Sequence, residues 1–175
     1  ETMKSIFLMS VFFIFISCGN KLNLVSKKEV IILKKSNENK ESKVFATIFN
    51  NSTLIIKEDN IGHLYPIVES GNNIVVEYKY QEDGEEGTVD GDYSETLHFE
   101  ISKNTKELCL KDDQLTGVKL LFGKHCFCRG EAGYYSVNKG KFKVVKSDKE
   151  IYFDIDFSIE EPYSKLIRVS KYLKL

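Results

Sequence analysis

The cysteines are the residues of this chain that could take part in the most kinds of chemistry: disulfide formation, metal binding and nucleophilic attack. Of four cysteines, three lie in the C-terminal half, at Cys109, Cys126 and Cys128. A disulfide from Cys109 to either of the other two would close a loop of about twenty residues and contribute roughly 3 kcal/mol. Cys126 and Cys128 point to the same face of an extended segment, and a direct bridge between them would be strained. We therefore predict one disulfide that involves Cys109, together with one free thiol.

His125 adds an imidazole beside these thiols, and thiolate and imidazole are common zinc ligands. Zinc ligand pairs usually have about two to four residues between them, whereas only Phe127 separates Cys126 from Cys128. The spacing favours a disulfide over a metal site. A cysteine nucleophile with His125 as its base is a further alternative that the sequence leaves open.

A run of acidic residues offers a second kind of chemistry. Residues 82–92 contain six carboxylates and no cation, and oxygen-rich segments punctuated by glycine can bind calcium. Counted from Asp90, the sixth position is Glu95, where the calcium loop of an EF-hand has glycine. The segment favours a solvated hairpin end, with calcium as the alternative. The candidate calcium ligands are Asp83, Glu85, Asp90 and Asp92.

Two adjacent tyrosines are candidates for binding. Tyr134 and Tyr135 follow the small residues of segment 130–133, and exposed tyrosine is favoured at binding surfaces. His63 and His98 have no evident partner in the sequence. Because no Gly-x-Ser-x-Gly, His-Glu-x-x-His or glycine-rich phosphate loop occurs, the sequence predicts no catalytic residue and no cofactor.

Length and composition limit the class of protein. With 175 residues, 42% of them hydrophobic and 29% charged, the chain fits one soluble domain with a folded core. Its 25 basic and 26 acidic residues are spread along the sequence, so no surface for nucleic acid is expected.

The first eighteen residues have the features of a targeting segment. Lys4 precedes an apolar stretch, residues 6–16, that is too short to span a bilayer. The stretch ends at Phe15-Ile16-Ser17-Cys18, which resembles the lipobox of bacterial lipoproteins, in which the cysteine is acylated and becomes the new N-terminus. The resemblance is confined to this segment. It implies lipidation at Cys18 and anchoring to a membrane of the bacterial cell envelope, with a periplasmic or surface location. The alternatives are a plain N-terminal membrane anchor and a buried apolar segment.

The resemblance divides the chain into three parts. Residues 1–17 are the signal segment with an upstream extension, and residues 18–28 are the acylated cysteine and a polar tether. Residues 29–175 are a single β-rich domain.

Within that domain apolar residues recur at every second position, which predicts strands. In segments 151–158 and 95–102 the apolar side chains face a core, and the polar ones, His98 among them, face water. Clusters of turn-forming residues at 50–52, 58–60, 70–73, 138–140 and 146–149 are placed where hairpins would reverse. Their spacing indicates an antiparallel sandwich or barrel. Residues 163–175 fit a strand or a helix, and we favour a closing strand. Further strands are predicted at 30–33, 43–49, 53–57, 73–80, 107–110, 118–122, 134–137 and 141–146.

Anchoring, domain size and the missing catalytic motifs together predict a lipid-anchored envelope protein that binds a ligand or another protein without turnover. Its expected partners are the membrane, through the lipid, and an envelope protein or small ligand. The alternatives are a small envelope hydrolase whose site is assembled from dispersed residues, and a structural or metal-binding surface protein.

Overall fold

The two-residue repeat of the sequence becomes a set of antiparallel strands. The computed structural model describes residues 25–33, 42–84, 87, 90–160 and 162–175, so the N-terminal segment with Cys18 lies outside it. These residues contain one 3₁₀ helix (Asp112–Val118) and ten strands. The strands are β1 (Val25–Leu33), β2 (Ser42–Glu58), β3 (Leu64–Glu82), β4 (Tyr93–Ser102), β5 (Glu107–Lys111), β6 (Leu121–His125), β7 (Gly133–Ser136), β8 (Gly140–Lys146), β9 (Glu150–Phe157) and β10 (Arg168–Lys174).

The strands form two sheets that pack as a sandwich, which confirms the predicted fold class. Sheet A has the order β1-β2-β3-β4-β6-β7, and sheet B has the order β10-β9-β8-β5. All their pairings are antiparallel. Strand β1 begins at Val25, within the stretch expected to be a tether.

The core lies between the two sheets and follows the predicted alternation. On β9 the apolar side chains are buried, whereas Asp156 between them is exposed. The ring of Phe99 on β4 makes edge contacts with the rings of Phe142 and Phe153, at centroid distances of 5.1 and 5.2 Å. The sheets are therefore joined through aromatic packing at their centre.

Strands β2 and β3 form a long ribbon that bends in the middle. Around Ser52 the register of the pairing shifts, and Asn51 has a φ of 55°, in the left-handed region that asparagine tolerates. The predicted reversals at 50–52 and 70–73 are therefore wrong. These turn-forming residues face each other across the ribbon and bend it, and the chain reverses only after Glu58, next to the predicted turn at 58–60.

The bend folds the outer half of the ribbon over the face of sheet A that points away from the core. The start of β3 thereby reaches the far edge of the same sheet, where Leu64 pairs with Tyr134 of β7. Leu54 on the folded-over half, and Val75 and Leu121 on the sheet, are fully buried although they lie outside the main core. The outer face of sheet A is thus partly covered as well.

Strand β4 is consequently buried on both of its faces. Leu97 and Phe99 face the main core as predicted, but Thr96 and His98 on the opposite face are only 5% and 3% exposed. The prediction that the polar side of this strand faces water is wrong, because Tyr134 of β7 lies against His98 and the folded-over ribbon bonds to Glu100 on the same face.

Two further predictions concern element ends. The strand expected at 118–122 begins later, at Leu121, because the preceding 3₁₀ helix buries Leu115 and Val118 in the core. Residues 163–175 end in strand β10, which confirms the preference for a closing strand.

Candidate functional site

An open cleft of about 780 Å³ lies where the folded-over ribbon meets β7. Both tyrosines predicted from the sequence to bind, Tyr134 and Tyr135, line this cleft. We name it the tyrosine cleft, and it is lined by Gly62, His63, Leu64, Gly130, Ala132, Gly133, Tyr134, Tyr135, Ser136, Asn138, Lys139, Ser158, Ile159 and Glu160.

The carboxylate of Glu100 holds the ribbon in the position that forms the cleft. Its oxygens accept hydrogen bonds from Leu54 N (2.5 Å), Thr53 Oγ1 (2.9 Å), Asn73 Nδ2 (2.7 Å) and Lys119 Nζ (3.0 Å). Burial opposes the negative charge of Glu100, but the donors from the ribbon and the ammonium together hold the pKa of this carboxyl below its usual value. One charged group on β4 therefore fastens both arms of the bend.

The rim of the cleft is a tight loop organised by Asp59, at the tip of the ribbon. Its Oδ1 accepts hydrogen bonds from the backbone N–H groups of Ile61 (2.9 Å) and His63 (2.8 Å). The bonds from His63 and Ile61 lower the pKa of the Asp59 carboxyl. His63 lies at this rim with its side chain 71% exposed, so its ring is accessible to a ligand.

Tyr134 is fixed by packing against the sheet behind it. Its ring makes edge contacts with His98 at 6.1 Å and His125 at 5.1 Å. It also covers Gly123, where a Cβ would lie 2.6 Å from the tyrosine ring and 2.5 Å from Oγ1 of Thr96. Burial raises the pKa of Tyr134 above its usual value. Its neutral hydroxyl can donate a hydrogen bond to a ligand.

The remaining wall residues give the cleft a mixed character. The Tyr135 hydroxyl donates to the carbonyl oxygen of Glu131 (3.0 Å), which orients its ring. Ile159 adds a half-buried apolar surface, and Lys139 and Glu160 form an exposed ion pair. An arrangement of this kind suits a ligand that has both apolar and polar groups.

His98 lies behind Tyr134 and has a partner that the sequence does not show. Its Nε2 is 3.1 Å from Oε2 of Glu77 on β3. Within the described part of the chain, its Nδ1 and the hydroxyl of Thr96 are buried without a hydrogen-bond partner. His98 lines neither this cleft nor the one described next, and its pair with Glu77 joins neighbouring strands of sheet A beneath Tyr134.

A smaller cleft of about 410 Å³ contains two of the four calcium candidates, Asp90 and Asp92. Lys79 and His125 line the same cleft, and burial, reinforced by Lys79, lowers the pKa of His125. Asp92 accepts a hydrogen bond from Gly84 N at 2.9 Å. The positive charge of Lys79 in this cleft opposes the binding of a cation.

Asp83, a third calcium candidate, does not line this cleft. Asp83 forms an ion pair with Lys43, and Glu85 lies outside the described residues. Across the described ranges, no group of three or more histidine, cysteine or acidic side chains is arranged to hold a metal ion.

The cysteines pair differently from the prediction. Cys126 and Cys128 are bonded to each other in the loop between β6 and β7, with their Cα atoms 5.2 Å apart. Cys109 is free and exposed on β5. The predicted bridge from Cys109 is wrong because its side chain is exposed on the outer face of sheet B, opposite to Leu108 and Leu110, whereas the other two cysteines follow a strand of sheet A. Zinc ligation by all three thiols is not supported for the same reason.

Sequence reasoning missed a buried polar network at one end of the core. Glu95 is fully buried, and its carboxylate accepts hydrogen bonds from Lys165 N (2.8 Å) and Leu166 N (2.7 Å). Lys124, opposite Glu95 in the β4–β6 pairing and only 4% exposed, donates to the Tyr163 carbonyl (2.9 Å). The network fastens the segment before β10 to sheet A. A signal was present, since the alternation places Glu95 on the apolar side of its strand.

Comparison with protein-family models, with curated proteins and with solved structures finds no match to this chain. Within the ranges that the structure describes, no helix is long and apolar enough to cross a membrane.

Proposed function

We propose that the chain is a lipid-anchored protein of the bacterial cell envelope whose β domain binds a ligand or another protein in the tyrosine cleft, without turnover. The proposal rests on the cleft itself, which has a volume of about 780 Å³, two tyrosines and walls that are apolar in part. Ligand sites in proteins have this size and this mixture of apolar walls with a few placed polar groups.

The wall residues indicate what the occupant offers. The faces of Tyr134 and Tyr135 and the side chain of Ile159 favour an apolar or aromatic group. Lys139 and Glu160 carry opposite charges, so the cleft does not select a ligand of one sign. A peptide segment that presents an apolar side chain between polar backbone groups has this combination.

The lipobox-like residues Phe15 to Cys18 support the location. Only residues 19–24 lie between Cys18 and the start of β1. Even fully extended, this stretch reaches roughly 20 Å, so a lipid on Cys18 would keep the domain close to the membrane surface.

Binding in the cleft is tested with two isoleucines of this chain. Ile159 lines the tyrosine cleft, whereas Ile167 is 64% exposed and lines neither cleft. Each is replaced by a photoreactive benzoyl-phenylalanine in bacterial cells that express the full chain. We expect a discrete light-dependent adduct from position 159 and none from position 167. Equal adducts at both positions, or none at position 159, would contradict binding in the cleft.

Anchoring is tested by labelling the same cells with palmitate. Cys18→Ala should abolish incorporation of the label, while Cys109→Ala, a matched change at an exposed thiol, should retain it. Equal labelling of the wild type and Cys18→Ala would sink the lipoprotein proposal.

A further inference from the structure

Strand β5 is an open edge of sheet B. Among the described residues only β8 pairs with it. Lys146 N donates to Lys106 O (2.8 Å), and hydrogen-bonded pairs alternate along an antiparallel ladder, so the even-numbered residues of β5 bond to β8. The odd-numbered residues, Glu107, Cys109 and Lys111, therefore direct their backbone N–H and C=O groups to the open edge. In agreement, Lys111 N bonds the side chain of Gln114 (3.0 Å).

The charges of strand β5 are complementary to those of a second β5 strand that runs in the opposite direction. Its five residues, Glu-Leu-Cys-Leu-Lys, place opposite charges at equal distances on either side of Cys109, and both charged side chains are exposed. The strand thus presents a charge pattern that is complementary to its own reverse. The backbone groups of Glu107 and Cys109 face the open edge, and Lys111 N would have to exchange its bond to Gln114 for one to the second copy.

We propose that a second copy of this chain binds here, with the two β5 strands antiparallel about a two-fold axis at Cys109. In this register Glu107 lies opposite Lys111 of the second copy, and the reverse pair repeats the contact. Opposite charges facing each other across strands stabilise a pairing, and like charges destabilise it. The Cys109 N–H and C=O groups of the two copies bond each other directly at the axis.

The other edge of sheet B lacks this complementarity. The same pairing of β10 about its central residue would place Lys171 opposite itself and Arg168 opposite Lys174. Like charges would then meet at every charged position, and Lys residues on edge strands are a known protection against such contacts. The charge pattern therefore favours β5 over β10 as the surface for a second copy.

The pairing brings the Cys109 thiols of the two copies close enough to form a disulfide. Formation of this disulfide is the assay for the pairing. Residues in a hydrogen-bonded antiparallel pair have Cα atoms about 5.5 Å apart, inside the range that a disulfide spans. With oxidised glutathione, one Cys109 thiolate displaces a glutathione and forms a mixed disulfide, and the second Cys109 thiolate displaces the other. Two protein thiols are oxidised, and two glutathione molecules leave with their protons.

The experiment treats the full chain, purified in mild detergent, with oxidised glutathione and measures the covalent dimer on a non-reducing gel. Glu107→Lys and Lys111→Glu each place two pairs of like charges at the axis, so each should lower the dimer yield about three- to tenfold. The double variant Glu107→Lys/Lys111→Glu restores opposite charges and should restore the yield. Lys171→Glu, on the other edge strand, is the matched control and should leave the yield unchanged.

The variant Cys109→Ser tests for the dimer in the absence of the disulfide. It should remove the covalent dimer but leave a dimer in sedimentation equilibrium, because backbone and charge contacts remain. A monomer of wild type in sedimentation, equal yields in all charge variants, failure of the double exchange to rescue, or a covalent dimer that persists in Cys109→Ser would each overturn the proposal.

Discussion

Replacing Glu100 tests whether a single carboxylate holds the folded-over ribbon in place. The side chain is only 11% exposed, so solvent screens its four hydrogen bonds little. Hydrogen bonds to a charged group contribute about 1.5–3 kcal/mol, against about 0.5–1.5 kcal/mol for neutral partners. Glu100→Gln keeps the shape of the side chain but removes its negative charge. The amide nitrogen of glutamine cannot accept a hydrogen bond, so a donor that bonds one carboxylate oxygen of Glu100 loses its acceptor. We expect the free energy of unfolding to fall by about 2–3 kcal/mol for Glu100→Gln, and by about 3–5 kcal/mol for Glu100→Ala, which leaves buried donors unsatisfied.

The pH dependence provides an independent check on Glu100. Its folded pKa lies below the usual value of 4.5, so the carboxylate stabilises the fold above that pH. This contribution is lost as the pH falls through the folded pKa. Glu100→Gln lacks the titrating group, so the difference between wild type and variant should shrink in acid. The other carboxyls with lowered pKa values are present in both proteins and cancel in the difference.

The assay is urea unfolding followed by tyrosine fluorescence, since the chain has nine tyrosines and no tryptophan. It is carried out at about pH 7 and about pH 3. Glu69→Gln is the matched control: Glu69 is exposed on the same ribbon, and its change should stay within about 0.5 kcal/mol. Equal unfolding midpoints for the two glutamine variants, or a Glu100→Gln effect that is the same at both pH values, would refute the reasoning.

Three further predictions concern packing and the disulfide. Phe153→Ala should cost about 2–5 kcal/mol in urea unfolding, while Asp156→Asn on the same strand should cost little, because only the first is buried in the core; similar losses would contradict the strand orientation. Gly123→Ala should cost about 1–3 kcal/mol and shift the ring resonances of Tyr134, since a Cβ would collide with that ring; unchanged spectra would count against the packing described. Trypsin digestion without reduction should release one peptide that contains both Cys126 and Cys128 and is lighter by two hydrogen atoms than its reduced form; a cross-link from either residue to another cysteine would show a different pairing.

The sequence predicted correctly those strands that have the core on one face and water on the other. On β9 the alternation of Phe153 and Asp156 was enough, because that strand has the core on one side and water on the other. The same pattern on β4 misled, because His98 is covered by the ring of Tyr134, a residue of β7 that is far away in the chain. Alternation shows which side chains share a face, but it cannot show what lies against that face.

The candidate site was predicted in part. Tyr134 and Tyr135 were identified from their type and their small neighbours, and both line the tyrosine cleft. The carboxylate of Glu100 was not identified, since its four donors come from segments separated from it by 19 to 47 residues. Cys109 was assigned to the wrong bridge because a loop length gives the entropy of closure and says nothing about which sheet each end joins.

The order of strands has a consequence for how the chain folds as it leaves the ribosome. Strands β1 to β4 are neighbours both in the chain and in sheet A, so they can pair early, by closing local loops. Strand β5 has to wait for β8, and two strands of the other sheet are synthesised in between. During that interval both edges of β5 are unpaired, and on crowded polysomes they are open to neighbouring nascent chains. Strand β5 is therefore the place where we expect co-translational folding and assembly of this protein to compete.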